Sequence, residues 1–306
     1  MCNYLNAGYF DHGEMLPFNV YKNVLDEVHY QKPLIVLTGG ETLLHPDLTK
    51  ILWYANEYEL CSSLTTNGWF LAEHAADIVN SGLDLLVVSI DGPEQVHDRI
   101  RGKDGAYRRA MEGIGEVMRY EDRPLVFINA IIQADSYAHF DQLVDEAEVA
   151  GVDGMNIQVL WTRPPDRAAL HNQLFPEFCV GDGWIDESLI DIDFNVLDSV
   201  LGRVKKNRLY VSIYPAFSTH EMCDWYTDPM KFVNNRSLKC PWMWAIVFQD
   251  GTIRMCDDIV LGSLHDNSFW EIWNGDRMVA FRETLNEHKS FPICAGCCFL
   301  FRQHTI

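Results

Sequence analysis

Positive charge is scarce in this chain of 306 residues: 24 Lys and Arg stand against 44 Asp and Glu, for a formal net charge of −20. A nucleic-acid surface needs clustered Lys and Arg to displace counterions, so nucleic acid is excluded as the expected partner. Long apolar runs are missing as well. No stretch reaches the roughly 20 apolar residues of a membrane-spanning helix, and no basic segment followed by an apolar one opens the chain. The reading is a cytoplasmic protein with no membrane partner. There is no Gly-x-Ser-x-Gly elbow and no HExxH pair, which removes the sequence marks of a serine hydrolase and of a zinc protease. Internal repeats and low-complexity tracts are absent. A single Cys-x-x-Cys occurs, Cys294 to Cys297, where a zinc ribbon ordinarily presents two.

What is present is enough apolar content, 48%, to bury a full core. Nine cysteines without a secretory signal read as reduced thiols or metal ligands rather than as a disulfide framework. They are unevenly placed, with Cys240, Cys256, Cys294, Cys297 and Cys298 all late in the chain. Cys61, Cys179 and Cys223 have no partner at ligand spacing and read as buried small hydrophobes, with a substrate-contacting thiol as the alternative for Cys223.

Between residues 33 and 160 short β-rich runs alternate with amphipathic segments. The runs are Leu34 to Leu37, Cys61 to Thr65, Leu85 to Ile90, Leu125 to Ile132 and Met155 to Leu160. Between them lie helical periods at Val20 to Val28, Leu48 to Tyr58, Ala72 to Asn80, Tyr107 to Arg119 and Phe140 to Ala150. This pattern predicts an α/β fold on a parallel sheet. Residues 161–215 break the rhythm and read as a final barrel segment and connector, with a strand at Leu209 to Tyr214. From residue 216 the composition turns to Trp, Cys and turn residues. Gln249-Asp250-Gly251 predicts a hairpin between Met243 to Phe248 and Thr252 to Met255. Ser268 and Glu271 form a capping box for a helix through Arg282.

Three polar stretches close three successive strands: Gly39-Gly40-Glu41, Asn67-Gly68 and Ser89-Ile90-Asp91-Gly92. That places them on the carboxyl edge of a parallel sheet, where α/β folds form their sites. The thiolates of Cys240, Cys256, Cys294 and Cys297 suit zinc or an iron-sulfur cluster, with Cys298 as a spare or alternative ligand. Asp257 and Asp258 read as a solvated turn beside Cys256, the alternative being polar neighbours of a substrate pocket.

The ordered set resembles the radical S-adenosylmethionine (radical SAM) enzymes with a C-terminal SPASM or twitch extension. Leu37-Thr38-Gly39-Gly40-Glu41 through Pro46-Asp47 is similar to the Gly-Gly-Glu motif of that family, with Thr42 where the family most often has proline. Thr66-Asn67-Gly68 and Ser89 to Pro93 with His97, Asp98 and Arg99 or Arg101 follow in the family's order. Cys240-Pro241-Trp242, Gly251, Cys256, Glu271-Ile272-Trp273-Asn274 and Cys294 to Cys297 resemble the extension.

The resemblance implies a partial parallel (β/α)6-type barrel lacking its first strand, over residues 1–215, followed by a small cysteine-rich α+β extension over 216–306. It implies a radical-forming 4Fe-4S cluster held by a CxxxCxxC loop, of which this chain has only Cys2. Truncation within that loop is therefore expected, the alternative being an inactive barrel relic that serves as a metal-stabilised binding protein. Also implied are S-adenosylmethionine and one auxiliary 4Fe-4S cluster on Cys240, Cys256, Cys294 and Cys297. Gly39 and Gly40 would admit the methionine part, Glu41 would accept from its ammonium group, and Ser89 and Arg101 would bind ribose or carboxylate. Asn67 would support the cofactor side. A reductant such as flavodoxin or ferredoxin and a peptide or small-molecule substrate complete the expected partners.

Overall fold

The computed structural model describes residues 15–233 and 238–297. Six strands, β1 (Ile35–Leu37), β2 (Ser62–Thr66), β3 (Leu85–Ser89), β4 (Leu125–Ile132), β5 (Gly154–Val159) and β6 (Val211–Tyr214), form one sheet in sequence order. Every neighbouring pair is parallel. A monotonic order joined by right-handed crossovers puts the connecting helices on one face of the sheet. The strands record that asymmetry. In β4, Val126, Ile128, Ala130 and Ile132 are fully buried, whereas Leu125 on the alternate face is 55% exposed. The result is the partial barrel the motif order implies, with β1 and β6 as its two edges among the described residues.

The strongly periodic segments fold as read. The helix at Phe140–Ala150 and strand β4 match to the residue, and the other expected elements of 33–160 shift by one or two positions. Four helices of eight residues or more lie outside that reading: Glu94–Arg101, Pro165–Leu174, Phe194–Val204 and Thr219–Thr227, as does the one-turn helix Cys240–Met243. The first is strongly polar along its length and the second carries no clear apolar stripe, so a search for hydrophobic periods passes over both.

The chain divides into two compact units. One comprises Val28–Leu160 with Ser188–Thr219, and the other Trp161–Glu187 with the described parts of 13–27 and 220–306. The second unit holds a three-stranded antiparallel sheet, β7 (Ile246–Val247), β8 (Thr252–Met255) and β9 (Ile259–Ser263). The predicted hairpin is its first half, and β9 extends it. The expected helix from Ser268 to Arg282 is two helices, Phe269–Trp273 and Asp276–His288. Its capping box is present, but Asn274-Gly275 interrupts it, and a Cβ on Gly275 would stand 2.7 Å from the Glu271 carbonyl oxygen. Among the described residues no helix is long and apolar enough to cross a membrane.

Two cysteines correct their expected burial. Cys61 precedes β2 and is exposed, and Cys179 is exposed after a short 3-10 turn; Cys223 is half-buried.

Close packing behind the sheet depends on glycine. The helix Ala106–Val117 lies against Leu71–Asn80, and a Cβ on Gly113 would stand 2.5 Å from Leu71 Cβ and 3.0 Å from the Ala72 amide. Gly115, two residues on, has nothing within 4 Å. Alanine in an exposed helix site gains about 1 kcal/mol over glycine, and overpacking a core costs about 1–3 kcal/mol. Gly115→Ala is therefore expected to raise the melting temperature and Gly113→Ala to lower it, read by thermal unfolding.

At the amino end of the sheet, Asp153 clamps two strands. Its carboxylate accepts from Arg123 Nη1 at 2.6 Å and from the Val126 amide at 2.7 Å. Burial alone would raise this carboxyl, but Arg123 and the amide outweigh it and hold it below the ordinary 3.8. A carboxyl depressed in the native state contributes fully above its unfolded pKa and loses that contribution as pH falls through the lower native value. Asp153→Asn should cost about 1.5–3 kcal/mol at neutral pH. Urea titrations should show that cost shrinking once pH drops below the ordinary carboxylate range.

Candidate cofactor and cluster sites

At the carboxyl edge of the first unit, Gly39, Gly40 and Glu41 follow β1, Asn67 follows β2, and Ser89 ends β3. Gly39 has φ +152°, a backbone that favours glycine, and among the described residues nothing lies within 4 Å of where its Cβ would stand. Glu41 is the bracket of this edge. Its Oε1 accepts from the Leu43 amide at 3.0 Å and the Thr66 hydroxyl at 2.7 Å, and its Oε2 accepts from the Asn67 amide at 2.8 Å. The Thr42 hydroxyl donates to the Thr65 carbonyl at 2.7 Å, a bond proline could not make at that position. Asn67 turns its Oδ1 to the Trp69 amide at 2.8 Å, which makes it a turn-forming residue.

Ser89 and Arg101 meet: Arg101 Nη2 lies 3.3 Å from the Ser89 carbonyl oxygen and 2.8 Å from Asp91 Oδ2. Arg99 instead pairs with Asp135 at 3.1 Å on the surface. Asp91 is buried, accepts from the Ile131 amide at 3.3 Å, and donates its own amide to His97 Nδ1 at 3.1 Å. Burial, helped by Arg101, pushes the His97 pKa down to about 4, so the ring is neutral with its proton on Nε2. Asp91 and His97 stand in the motif without an assigned role. Their part, a buried carboxylate steering Arg101, is visible only once the helix Glu94–Arg101 folds back over β3.

On the open face of the sheet, register sets Ser89 beside Asn129, Asn129 beside Asn156 and Asn156 beside Ser212. The Ser212 hydroxyl donates to Asn156 Oδ1 at 2.7 Å, and Asn156 Nδ2 donates to Asn129 Oδ1 at 3.1 Å. One row toward the amino end the face is apolar. There the Phe127 ring packs edge-on to Tyr210, and a Cβ on Gly154 would stand 2.6 Å from Phe127. The open face therefore has an apolar floor and a polar, uncharged rim.

In the second unit Cys240 opens a one-turn helix, Cys256 follows β8, and Cys294 ends a 3-10 turn. Burial pushes the Cys240 thiol up to about 11 and the Cys294 thiol up to about 12, and raises Cys256, which Cys294 and Cys240 raise further by repulsion. The three are thus near neighbours. Among the described residues, however, no group of three or more His, Cys, Asp or Glu is arranged to hold one metal ion. Zinc needs four donors at about 2.0–2.3 Å from a single centre. The Cys297 amide donates to the Cys294 carbonyl at 3.2 Å, and the Phe291 amide to Cys294 Sγ at 3.4 Å. Such amide-to-sulfur bonds accompany iron-sulfur ligation. Cys2 and Cys298 lie outside the described residues.

Asp257 and Asp258 depart from the solvated turn expected of them. Arg163, 6% exposed, makes an ion pair with Asp258, approaches Asp257 at 4.0 Å, and donates to the Cys256 carbonyl at 2.6 Å. Burial pushes the Asp257 carboxyl up to about 6, against the pull of Arg163. Arg282 donates to the Pro241 carbonyl at 2.9 Å and the Trp273 carbonyl at 2.8 Å, fixing the turn that carries Cys240. No local signal in the sequence marks either arginine.

A family model described as the radical SAM superfamily matches residues 2–147, and one described as the SPASM iron-sulfur cluster-binding domain matches 239–298. The AdoMet-dependent heme synthase of Methanosarcina barkeri is 40% identical over 106 residues, 34% of this chain and 30% of that protein. A probable GTP 3',8-cyclase of Halobacterium salinarum is 31% identical over 130 residues, 42% of this chain and 35% of that protein. The matched stretch thus spans about a third of these curated relatives. Streptococcus suis SuiB bound to precursor peptide SuiA shares the fold, with a TM-score of 0.62 at 14% identity over 93% of this chain and 65% of that one. Two family models in the order of the two cysteine-bearing regions, on a sequential parallel sheet, place the chain: it belongs to the radical SAM superfamily, carries a SPASM domain, and has S-adenosylmethionine and 4Fe-4S clusters as its cofactors.

Proposed function

We propose that the chain is the catalytic part of a radical SAM oxidoreductase or maturase that cleaves S-adenosylmethionine reductively and takes a hydrogen atom from a peptide or small-molecule substrate. One observation carries this reading: Gly39 to Glu41, Asn67 and Ser89 close three consecutive parallel strands at one edge, and Arg101 folds back onto it. When bound, the cluster and S-adenosylmethionine supply an electron and, on cleavage, a radical that takes hydrogen.

The residues of this chain bind and orient. Glu41 Oε2 accepts one bond from within the protein, which leaves it a lone pair for an ammonium group. Its three bonds hold the carboxylate still. The open space at Gly39 admits a ligand close to the backbone. The Ser89 hydroxyl and the donors of Arg101 suit a carboxylate or ribose, with Asp91 fixing the guanidinium. Asn67 holds the loop, and Cys2 is a ligand of the radical-forming cluster. Cys240, Cys256, Cys294 and Cys297 hold one auxiliary cluster in an extension over 216–306, which follows a core over 1–215 in sequence. A flavodoxin or ferredoxin supplies the electron.

The described strands β1 to β6 contain no Lys or Arg. The amides and hydroxyls of the open face therefore favour a substrate of low charge over a triphosphate, which needs cationic partners. SuiB, crystallised with a precursor peptide, supports a peptide, and the heme synthase supports a small molecule.

In the anaerobically purified full-length gene product, Arg101→Ala should weaken S-adenosylmethionine binding about 10- to 100-fold, the loss of a charged hydrogen bond. Arg99→Ala should change it less than about 2-fold, as befits an exposed ion pair. Equal effects in calorimetry would refute the assignment of Arg101. Cys294→Ser should remove one cluster's worth of iron and sulfide while leaving the paramagnetic signal that responds to S-adenosylmethionine.

A further inference from the structure

The segment Thr162–Arg163 ties together two of the loops that carry the late cysteines. The Thr162 amide donates to the Gly296 carbonyl at 3.3 Å, inside the Cys294 to Cys297 loop. Gly296 has φ +82°, and a Cβ there would stand 2.7 Å from both the carbonyl and the hydroxyl oxygen of Thr162. The next residue, Arg163, is buried and donates to the Cys256 carbonyl at 2.6 Å. A bridge to Trp184 holds the segment in place.

Two facts make Arg163 more than a strut. Cys256 and Asp257 hold left-handed backbone, at φ +52° and +67°. Non-glycine residues in that conformation cost about 1–3 kcal/mol each and persist only where neighbours over-determine them. The bonds from Arg163 to the Cys256 carbonyl and to Asp258 supply that constraint. Arg163 is also the only Lys or Arg among the buried described residues. The Asp258 carboxylate pairs with it, and a guanidinium stays charged throughout the ordinary pH range. A cation in such surroundings acts strongly on nearby charge, because little water screens it.

We propose that Arg163 is a positioning residue for the auxiliary cluster and that the Arg163–Asp258 pair sets that cluster's reduction potential. The proposal rests on the reading that Cys240, Cys256, Cys294 and Cys297 hold the cluster. Reduction adds one negative charge to the cluster, so the guanidinium stabilises the reduced state and raises the potential, while Asp258 opposes it. The net charge around a cluster and its hydrogen bonds are the protein's levers on its potential.

The test is a potentiometric titration followed by paramagnetic resonance on the anaerobic full-length gene product, with the cluster that responds to S-adenosylmethionine as internal reference. Arg163→Gln should lower the auxiliary midpoint potential, and Asp258→Asn should raise it. Arg163→Lys, which keeps the charge, should return it toward the wild-type value. A purely structural role for the pair predicts no such opposition of sign. Either neutral variant failing to shift, or shifting the wrong way, with its cluster loaded, overturns the proposal. If Arg163→Gln does not assemble the cluster, the Asp258→Asn arm decides alone. If the wild-type late cysteines hold no iron-sulfur cluster, it is the underlying reading of the extension that fails.

Discussion

One constraint organises the first unit: six parallel strands in sequence order, joined by crossovers of one hand, have their helices on a single face. The face beneath the helices is apolar and closed, as the fully buried Leu64, Leu86, Val126, Ile128, Met155 and Ile157 show. The other face is left to be something else. Because side chains alternate along a strand, the same stretch that supplies Ile128 and Ala130 to the core supplies Asn129 to the open side. Register then aligns Ser89, Asn129, Asn156 and Ser212 into one polar row without any of them being adjacent in sequence.

The edge above that row needs a different kind of order, because loops after strands carry backbone amides that no ladder satisfies. Glu41 meets that need. Its carboxylate takes the Leu43 amide, the Asn67 amide and the Thr66 hydroxyl, joining the loops after β1 and β2. Each bond to a charged acceptor contributes about 1.5–3 kcal/mol. The geometry of the edge is thereby fixed before any ligand arrives, which is what a site that must orient a cofactor requires.

How much of this was legible follows from where the information lies. Elements with an apolar period, such as β4 and the helix Phe140–Ala150, carry it locally, and their bounds are read directly. The helix Glu94–Arg101 offers only Val96 and Ile100 as an apolar pair among Gln95, Asp98, Arg99 and Arg101, too short a period to stand out in the sequence. The motif at Ser89 to Gly92 points to chemistry, but not to Asp91 as the partner of Arg101, which depends on ten residues of chain folding back. Least legible is Arg163. It lies in a stretch broken by prolines, and its partners Cys256 and Asp258 come more than 90 positions later. Asp257 and Asp258 after a strand look like a wet turn because the cation that claims them is invisible to any local window.

Scarcity of positive charge gives those two arginines their meaning. In a chain with a net charge of −20, several Lys and Arg form exposed pairs such as Arg99–Asp135 and Lys32–Glu59, which contribute little in water. Arg101 and Arg163 are instead drawn out of solvent by the carboxylates of Asp91 and Asp258. Desolvating a cation is costly unless it is paired, so each carboxylate is what allows its arginine to be there at all. The pairing is incomplete by design of the geometry. Arg101 also reaches the end of β3 at the Ser89 carbonyl, and Arg163 also reaches Cys256. In both units a carboxylate draws a cation out of solvent, and the cation then also binds a backbone carbonyl, that of Ser89 in one and that of Cys256 in the other.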